Sequence, residues 1–540
     1  MNKHSKYGSK NNFMYLFFLI FTTISVSLYT FYSSFNLSLF GDSWLIFWRY
    51  ERMVGQFSIG VWDHLTYFFT LFGSQDIING FLFKIYHYNS SPYYIISYLF
   101  RLLASFSLYP LASYLTGNKL ASFFAVLFFS VTTIGLQTTD WVFHMPTYLV
   151  VCFFNLFLYY FLKSRDSYQI KWVVFFTTLF FATIVIYPIR SMSVVPFIIM
   201  IEIFWLIEHR TFAIFKKVVI RLTIILLIYL ILLTQTNLFS PPNDWDNQTI
   251  TNSAQVLTNG TLASFKTGYN LIQKGQAAFL LNPITALGGM IIPNISVSNN
   301  NKALSTFIGT LIIIFWILLI ILHRKSKIFD ALIISLVWTF FSFLIPWMRP
   351  EYLTSILLTD NRYLILPAIG ISLLFASLIS LKIDKRVKNI LFTLLALLLV
   401  LNIYSTKSYF NNLENIRSQQ LYDKIWSQLP EFKNIGKTEG PLVFYFTGER
   451  GDIIHNVLVF GLPSKLQLIH NISDFKTVVT MGSFEELISA VKDGKSLTRF
   501  SVLPKPLPVE NIYSFNLEGT DRLVNTSEIT RRNIMQVLTP

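Results

Sequence analysis

The sequence predicts a polytopic α-helical membrane protein of about eleven transmembrane helices with a small C-terminal α/β domain. Three observations carry that expectation. The 540 residues are 53% hydrophobic and 17% aromatic, with only 13% charged, more apolar surface than a soluble core hides. Apolar runs long enough to cross ~30 Å of hydrocarbon recur through the first three quarters and then stop. Lys and Arg gather in alternate connections between those runs.

The runs fall near 13–32, 93–115, 119–137, 146–162, 172–188, 192–207, 218–237, 306–322, 330–347, 363–381 and 388–404. The first follows a basic N-terminus but lacks a small-residue cleavage site, and more spans follow. It therefore reads as a retained helix and not as a signal peptide. The clusters Lys3/Lys6/Lys10, Lys119, Lys163/Arg165/Lys171, Arg210/Lys216/Lys217/Arg221, Arg324/Lys325/Lys327 and Lys382/Lys385/Arg386/Lys388 all fall on one side if the spans alternate. That side is expected to be cytoplasmic, with the N-terminus on it. The net charge of +15 is then an orientation signal and not a nucleic-acid site, since beyond residue 405 the chain holds 15 Lys and Arg against 14 Asp and Glu.

An odd number of spans sends residues 405–540 to the outside, together with the longer segments 33–92, 238–305 and 348–362. The sole cysteine, Cys152, lies within a span, so the outer segments fold without an internal disulfide. This pattern fits a multi-pass protein of a bacterial or archaeal plasma membrane at least as well as a eukaryotic endomembrane. In the first outer segment, Ser43 to Ile59 interleaves Trp44, Phe47, Trp48 and Tyr50 with Arg49, Glu51 and Arg52. That mixture predicts a helix lying in the membrane interface, and a second aromatic-rich piece runs from Trp62 to Tyr88. In the second outer segment, Leu262 to Leu281 predicts an amphipathic helix, and Leu287-Gly-Gly-Met-Ile-Ile-Pro a re-entrant or interfacial turn, the whole serving as a lid. Beyond residue 409 the pattern becomes soluble. Leu413–Leu429 and Phe484–Val491 read as helices, Leu442–Thr447 as a strand, with further strands near Thr477 and Tyr513.

Charged groups near the outer boundary are few: Asp42 after the first run, Arg101 inside the second, Asp140 closing the third, Arg190 between the fifth and sixth, and Glu351, Asp360 and Arg362 before the tenth. Charge at or within a bilayer is costly, so each is a candidate for function. The plain alternatives are a helix cap for Asp42 in Gly41-Asp42-Ser43, a cap or an Arg101 partner for Asp140, and snorkelling anchors for Arg190 and Arg362. His64, His87 and His144 read mainly as interfacial packing. No Gly-rich phosphate loop, Cys/His zinc spacing or nucleophile elbow is present in the sequence.

Three stretches resemble the membrane glycosyltransferases of the C-type fold (GT-C), which include protein O-mannosyltransferases and aminoarabinose transferases. They are Asp42 in a long loop directly after the first span, the pair Asp140-Trp141 closing the third, and Asp360-Asn361-Arg362-Tyr363-Leu364-Ile365-Leu366-Pro367 opening a late one. The commonest bacterial version has two consecutive acids after the first span, where this chain has Asp42 followed by Ser43. The resemblance implies an enzyme that takes a sugar from a polyprenyl-phosphate carrier and passes it, usually with inversion, to a hydroxyl on a lipid, glycan or protein acceptor. Asp42 would be the general base. Arg362, Arg101 and Arg190, with Tyr363, would hold the donor phosphate. Asp140 would orient an arginine or help hold a divalent ion, and Glu351, Asp360 and His64 would support the site. A Mg or Mn requirement stays open, because a lone carboxylate with His64 is a poor site for a hard cation. The rival readings are a polysaccharide polymerase or ligase with lipid-linked donors and a lipid-linked glycan transporter.

Overall fold

The computed structural model describes residues 5–51, 67–70, 72–167, 169–209, 211–235, 266–293, 299–326, 328–347, 357–432, 440–472, 477–494 and 506–539. Its main helices are α1 (Ser5–Phe31), α2 (Asp42–Tyr50), α3 (Gly73–Tyr86), α4 (Ser91–Thr116), α5 (Lys119–Val131), α6 (Pro146–Asp166), α7 (Ile170–Ile186), α8 (Val194–His209) and α9 (Phe212–Gln235). They continue with α10 (Asn282–Ile291), α11 (Asn299–Leu322), α12 (Phe329–Phe341), α13 (Pro367–Ile379), α14 (Lys385–Arg417) and α15 (Gln419–Trp426). Among the described residues six helical segments are long and apolar enough to cross a membrane: Tyr15–Asn36, Ser91–Thr116, Val142–Asp166, Pro188–His209, Asn301–Leu322 and Lys385–Arg417. Five shorter apolar helices of 10–17 residues accompany them, so helix length alone does not yield the eleven spans expected.

The helix ends follow local chemistry. Gly117 closes α4 in the left-handed region at φ 65°, a conformation only glycine adopts freely. The next residue, Asn118, caps α5 by accepting from the amides of Leu120 and Ala121. Asp384 opens α14 by accepting from the Arg386 amide.

Three expectations need correction. The stretch Leu287-Gly-Gly is not a turn but lies inside α10. A Cβ on Gly288 would sit 1.8 Å from the Ser305 carbonyl oxygen and one on Gly309 1.9 Å from that of Ile284. The glycines serve close helix crossing, as small residues do inside membranes. Next, α2 does not lie free in the interface: Trp44, Phe47, Trp48 and Tyr50 are buried by protein. Finally, Arg165 and Arg221 are not loop cations, because both are buried and paired to Glu202, at 3.0 and 2.6 Å. An ion triad inside the helices needs such pairing, since an uncompensated charge there is costly.

The C-terminal part is a four-stranded sheet, β1 (Leu442–Gly448), β2 (Val478–Met481), β3 (Ile512–Glu518) and β4 (Arg522–Asn525), in the order β2-β1-β3-β4. β1 pairs parallel with β2 and β3, and β4 antiparallel with β3. Helices α16 (Leu462–Ile469), α17 (Phe484–Asp493) and α18 (Ser527–Leu538) complete it. The strands expected at Leu442, Thr477 and Tyr513 and the helix from Phe484 are present. Helix α14 runs without a break past residue 405 to Arg417. Its 33 residues extend ~50 Å at 1.5 Å per residue, more than a bilayer core, and this overreach carries Tyr409 and Arg417 to the site described next. Ser418 then caps α15 by accepting from the Leu421 amide.

Candidate active site

Two irregular segments form the floor of the site. After α5 the chain leaves the helix at Thr132 and turns at Gly135 (φ 72°), where a Cβ would meet the Ile365 backbone nitrogen at 2.8 Å. The short helix Gln137–Asp140 follows. The facing segment is the turn of 3-10 helix Arg362–Ile365 before α13. The two are stitched together: the Gly135 amide donates to Thr359 O at 2.9 Å and the Gln137 amide to Asp360 O at 2.8 Å. Runs expected as unbroken spans at 119–137 and 363–381 are thus each interrupted here, and the interruption places Asp140 and Arg362 in one electrostatic neighbourhood.

The loop from α1 forms one wall. The Ser38 amide donates to Arg417 O at 2.9 Å, and the Tyr94 hydroxyl to Ser38 O at 2.7 Å. Gly41, at φ 54°, turns the chain into α2, of which Asp42 is the first residue. A carboxylate suits that position, because it complements the helix dipole. Yet among the described residues no hydrogen bond reaches the Asp42 carboxylate. Burial raises its pKa above the ordinary carboxylate value, against the opposing pull of Arg362 and of Arg49 on its own helix. Among the described residues Asp42 is therefore half-buried, accepts no hydrogen bond and feels the charges of Arg362 and Arg49.

Asp140 has a different environment. It is buried, and its Oδ2 accepts from Arg417 Nη2 at 3.1 Å and from the Tyr409 hydroxyl at 3.0 Å. Its partner is thus Arg417 and not Arg101. Burial lifts its pKa to about 6, with Arg417 and Tyr409 opposing, Asp360 adding to the rise and Arg362 opposing it. Oδ1 of Asp140 has no hydrogen-bond partner among the described residues. Removing Arg417 would strand a buried carboxylate, so Arg417→Met is expected to cost about 3–5 kcal/mol. A melting temperature in detergent would measure this, and adding Asp140→Asn to the same chain should return much of the loss.

Arg362 is only weakly engaged by hydrogen bonds among the described residues. Its Nη1 donates to Gln137 Oε1 at a long 3.5 Å, and its Nε is buried with no partner among the described residues. The guanidinium lies 4.5 Å from the Trp141 ring centroid and 5.1 Å from that of Tyr363. Arg190, fully buried, approaches the same Tyr363 ring at 4.1 Å and that of Tyr187 at 5.5 Å. Ring faces hold cations in place without neutralising them. Asp360 is half-buried, accepts from Gln137 Nε2 at 3.4 Å, and has its pKa raised by burial.

The structure thus brings Asp42, Asp140, Arg362, Tyr363, Arg190 and Asp360 together, but not Arg101. The Arg101 guanidinium donates to the carbonyls of Ser130, Phe129 and Thr132 at 3.1, 3.3 and 2.6 Å and to the Tyr148 hydroxyl at 3.0 Å. It satisfies the open C-terminal end of α5, so its partners are carbonyls instead of an anion. Arg101→Leu would leave those oxygens bare, at about 1–3 kcal/mol each. A lower melting temperature at unchanged donor KM is expected, and a raised KM at unchanged melting temperature would assign Arg101 to donor binding instead. His64 and Glu351 lie outside the described residues. His144 is buried, not interfacial, with Nδ1 3.2 Å from the Tyr187 hydroxyl.

Sequence reasoning missed Arg417 and Tyr409, which are distant in the chain from Asp140. It also missed the role of Arg49 and Asp76, a buried ion pair between α2 and α3 to which the Tyr67 hydroxyl donates. That pair fixes α2 in rotation. Among the described residues no three His, Cys, Asp or Glu side chains converge as a cation site.

No protein-family model and no curated protein matches the chain. It is similar to solved structures of archaeal oligosaccharyltransferases from Archaeoglobus fulgidus. One is AglB in complex with an inhibitory peptide and a dolichol-phosphate, at 13% identity and a TM-score of 0.45 over 86% of this chain and 64% of that one. Another is a complex with Zn and sulfate, at 13% and 0.48 over 92% and 67%. A third, the apo form, matches at 14% and 0.43 over 87% and 65%. The chain thus spans about two thirds of the length of the proteins it resembles.

Proposed function

We propose that this chain is an integral membrane glycosyltransferase of the C-type fold, moving a sugar from a polyprenyl-phosphate-linked donor to a hydroxyl acceptor at the outer face of the membrane. The observation that carries the reading is the pairing of a half-buried carboxylate that among the described residues accepts no hydrogen bond, Asp42, with an arginine whose Nε has no partner among them and whose Nη1 makes only a long bond, Arg362. These are the two groups that inverting transfer from a lipid phosphate requires. The acceptor oxygen attacks the anomeric carbon and its proton passes to Asp42. The bond from that carbon to the phosphate oxygen breaks with its electron pair, which leaves on the polyprenyl phosphate beside Arg362. Arg190 supports that phosphate through the shared Tyr363 ring, while Asp140 and Asp360 keep Arg362 aimed.

Burial of Asp42 serves the chemistry, since a base with a raised pKa accepts a proton more readily near neutral pH. The basic connections that remain exposed support an orientation with the N-terminus in the cytoplasm and the sheet domain outside. Polyprenyl phosphate, the leaving group of any such donor, provides the test. Added to the protein in lipid nanodiscs, it is expected to raise the melting temperature of the wild type and not of Arg362→Ala. Equal shifts in both, or none in either, contradict the assignment.

A further inference from the structure

Resting on that transferase reading, we infer that the C-terminal sheet domain is a working part of the site, with Phe460 as the residue that positions Asp42. Four contacts from residues 460–472 fall on the turn and helix that carry this acid. The Phe460 ring lies against Gly41, so closely that a Cβ there would be 2.1 Å from its edge. Gly461 meets Trp44, where a Cβ would approach the indole to 2.6 Å. Lys465 places its ammonium 4.9 Å from the Trp44 ring, and 4.3 and 3.8 Å from those of Tyr422 and Trp426. Trp48 Nε1 donates to Ile472 O at 2.7 Å.

Phe460 also reaches the opposite wall. Its ring centroid is 5.1 Å from Phe40 and 5.6 Å from Trp141, the residue whose ring carries the Arg362 guanidinium. One aromatic side chain thus links the turn that leads into Asp42 with the Trp141 ring that carries Arg362. The backbone is shaped to deliver it. The segment Ile454–Val459 is a π-type turn, closed by the Phe460 amide donating to His455 O at 3.2 Å, and such wide turns recur at functional sites. Gly41 packs tightly against the ring, which leaves it little room on that side.

The charges that act on Asp42 are Arg362 and Arg49 on its own helix; on the sheet domain His455 stacks on the Phe460 ring and Lys465, with Asp423 beside it, lies over Trp44. Removing the Phe460 ring takes away the packing against Gly41, the residue before Asp42, and is expected to let water reach the carboxyl without changing any of these charges.

The full chain in lipid nanodiscs tests the inference with Phe460→Ala and Phe460→Tyr. In Phe460→Ala, amide hydrogen exchange across Asp42–Tyr50 should quicken while that of Lys385–Arg417 stays unchanged. With a polyprenyl-phosphate monosaccharide as donor, kcat should fall roughly tenfold to a hundredfold at nearly unchanged donor KM, the scale of a misplaced catalytic group. The acid limb of the rate profile should move to lower pH, as Asp42 becomes hydrated. Phe460→Tyr, which keeps the ring, should restore all three. Wild-type kcat and pH profile in Phe460→Ala, or a loss of rate with unchanged exchange in Asp42–Tyr50, overturns the inference. If the wild-type protein transfers no sugar from such donors, the functional reading itself fails, and with it the role of Phe460 in transfer. Exchange alone then decides whether Phe460 holds the helix.

Discussion

Replacing Asp42 by Asn is expected to lower sugar transfer by about 10²–10⁴-fold, the usual worth of a positioned general base, while expression, membrane insertion and melting temperature stay near wild type. Stability should survive because among the described residues the carboxylate accepts no hydrogen bond; its removal strands no partner. The wild-type rate should rise with pH along a limb set by Asp42. Burial raises its pKa, with Arg362 and Arg49 opposing, so the limb should lie above the ordinary carboxylate range. The sign is fixed by the chemistry. A base works deprotonated, so a raised pKa costs activity on the acid side and none at higher pH. In Asp42→Asn the limb should vanish along with the rate. Steady-state kinetics against pH measures both, and a variant transferring at the wild-type rate removes Asp42 from the mechanism.

Arg362→Ala is the second large effect. Removing one preorganised donor from a developing oxyanion typically costs about 10²–10³-fold in kcat. A loss of that order is expected, with donor use impaired more than acceptor use. The same change should move the acid limb further up in pH, because Arg362 is the first of the charges that lower the Asp42 pKa. Arg362→Lys keeps the charge and loses the planar fork. It should hold the limb in place while recovering only part of the rate. Equal losses with donor and acceptor, or a limb that does not move, would separate Arg362 from both the phosphate and Asp42.

The membrane architecture was legible because a bilayer imposes a length and a composition that survive in any window of sequence. The strands at Leu442 and Tyr513 and the helix from Phe484 were legible for the same kind of local reason. The breaks in the helices were not. The stretch from Phe128 to Leu136 stays nearly as apolar as the helix before it. What ends the helix is the docking of Gly135 and Gln137 onto Thr359 and Asp360, more than two hundred residues away.

The partner of Asp140 was hidden likewise. Arg101 is closer in sequence, but its donors are spent on α5 carbonyls, and Arg417 arrives only because α14 overruns the membrane. Composition also misled at α2, whose aromatic and charged residues read as an interfacial helix. In the fold that surface is taken by α3 and the sheet domain. Gly41 and Gly461 were the sequence signal available for that contact, and glycine in a turn has too many explanations to point to Phe460.

The most direct measurement is a cryo-EM structure of the protein in lipid nanodiscs with polyprenyl phosphate bound. The headgroup phosphate should contact Arg362, with Arg190 and Tyr363 beside it and Asp42 facing the position of the sugar, within about 10 Å as transfer geometry demands. A headgroup bound away from Arg362, or bound there with Asp42 turned out of the cavity, would contradict a site built from these two residues.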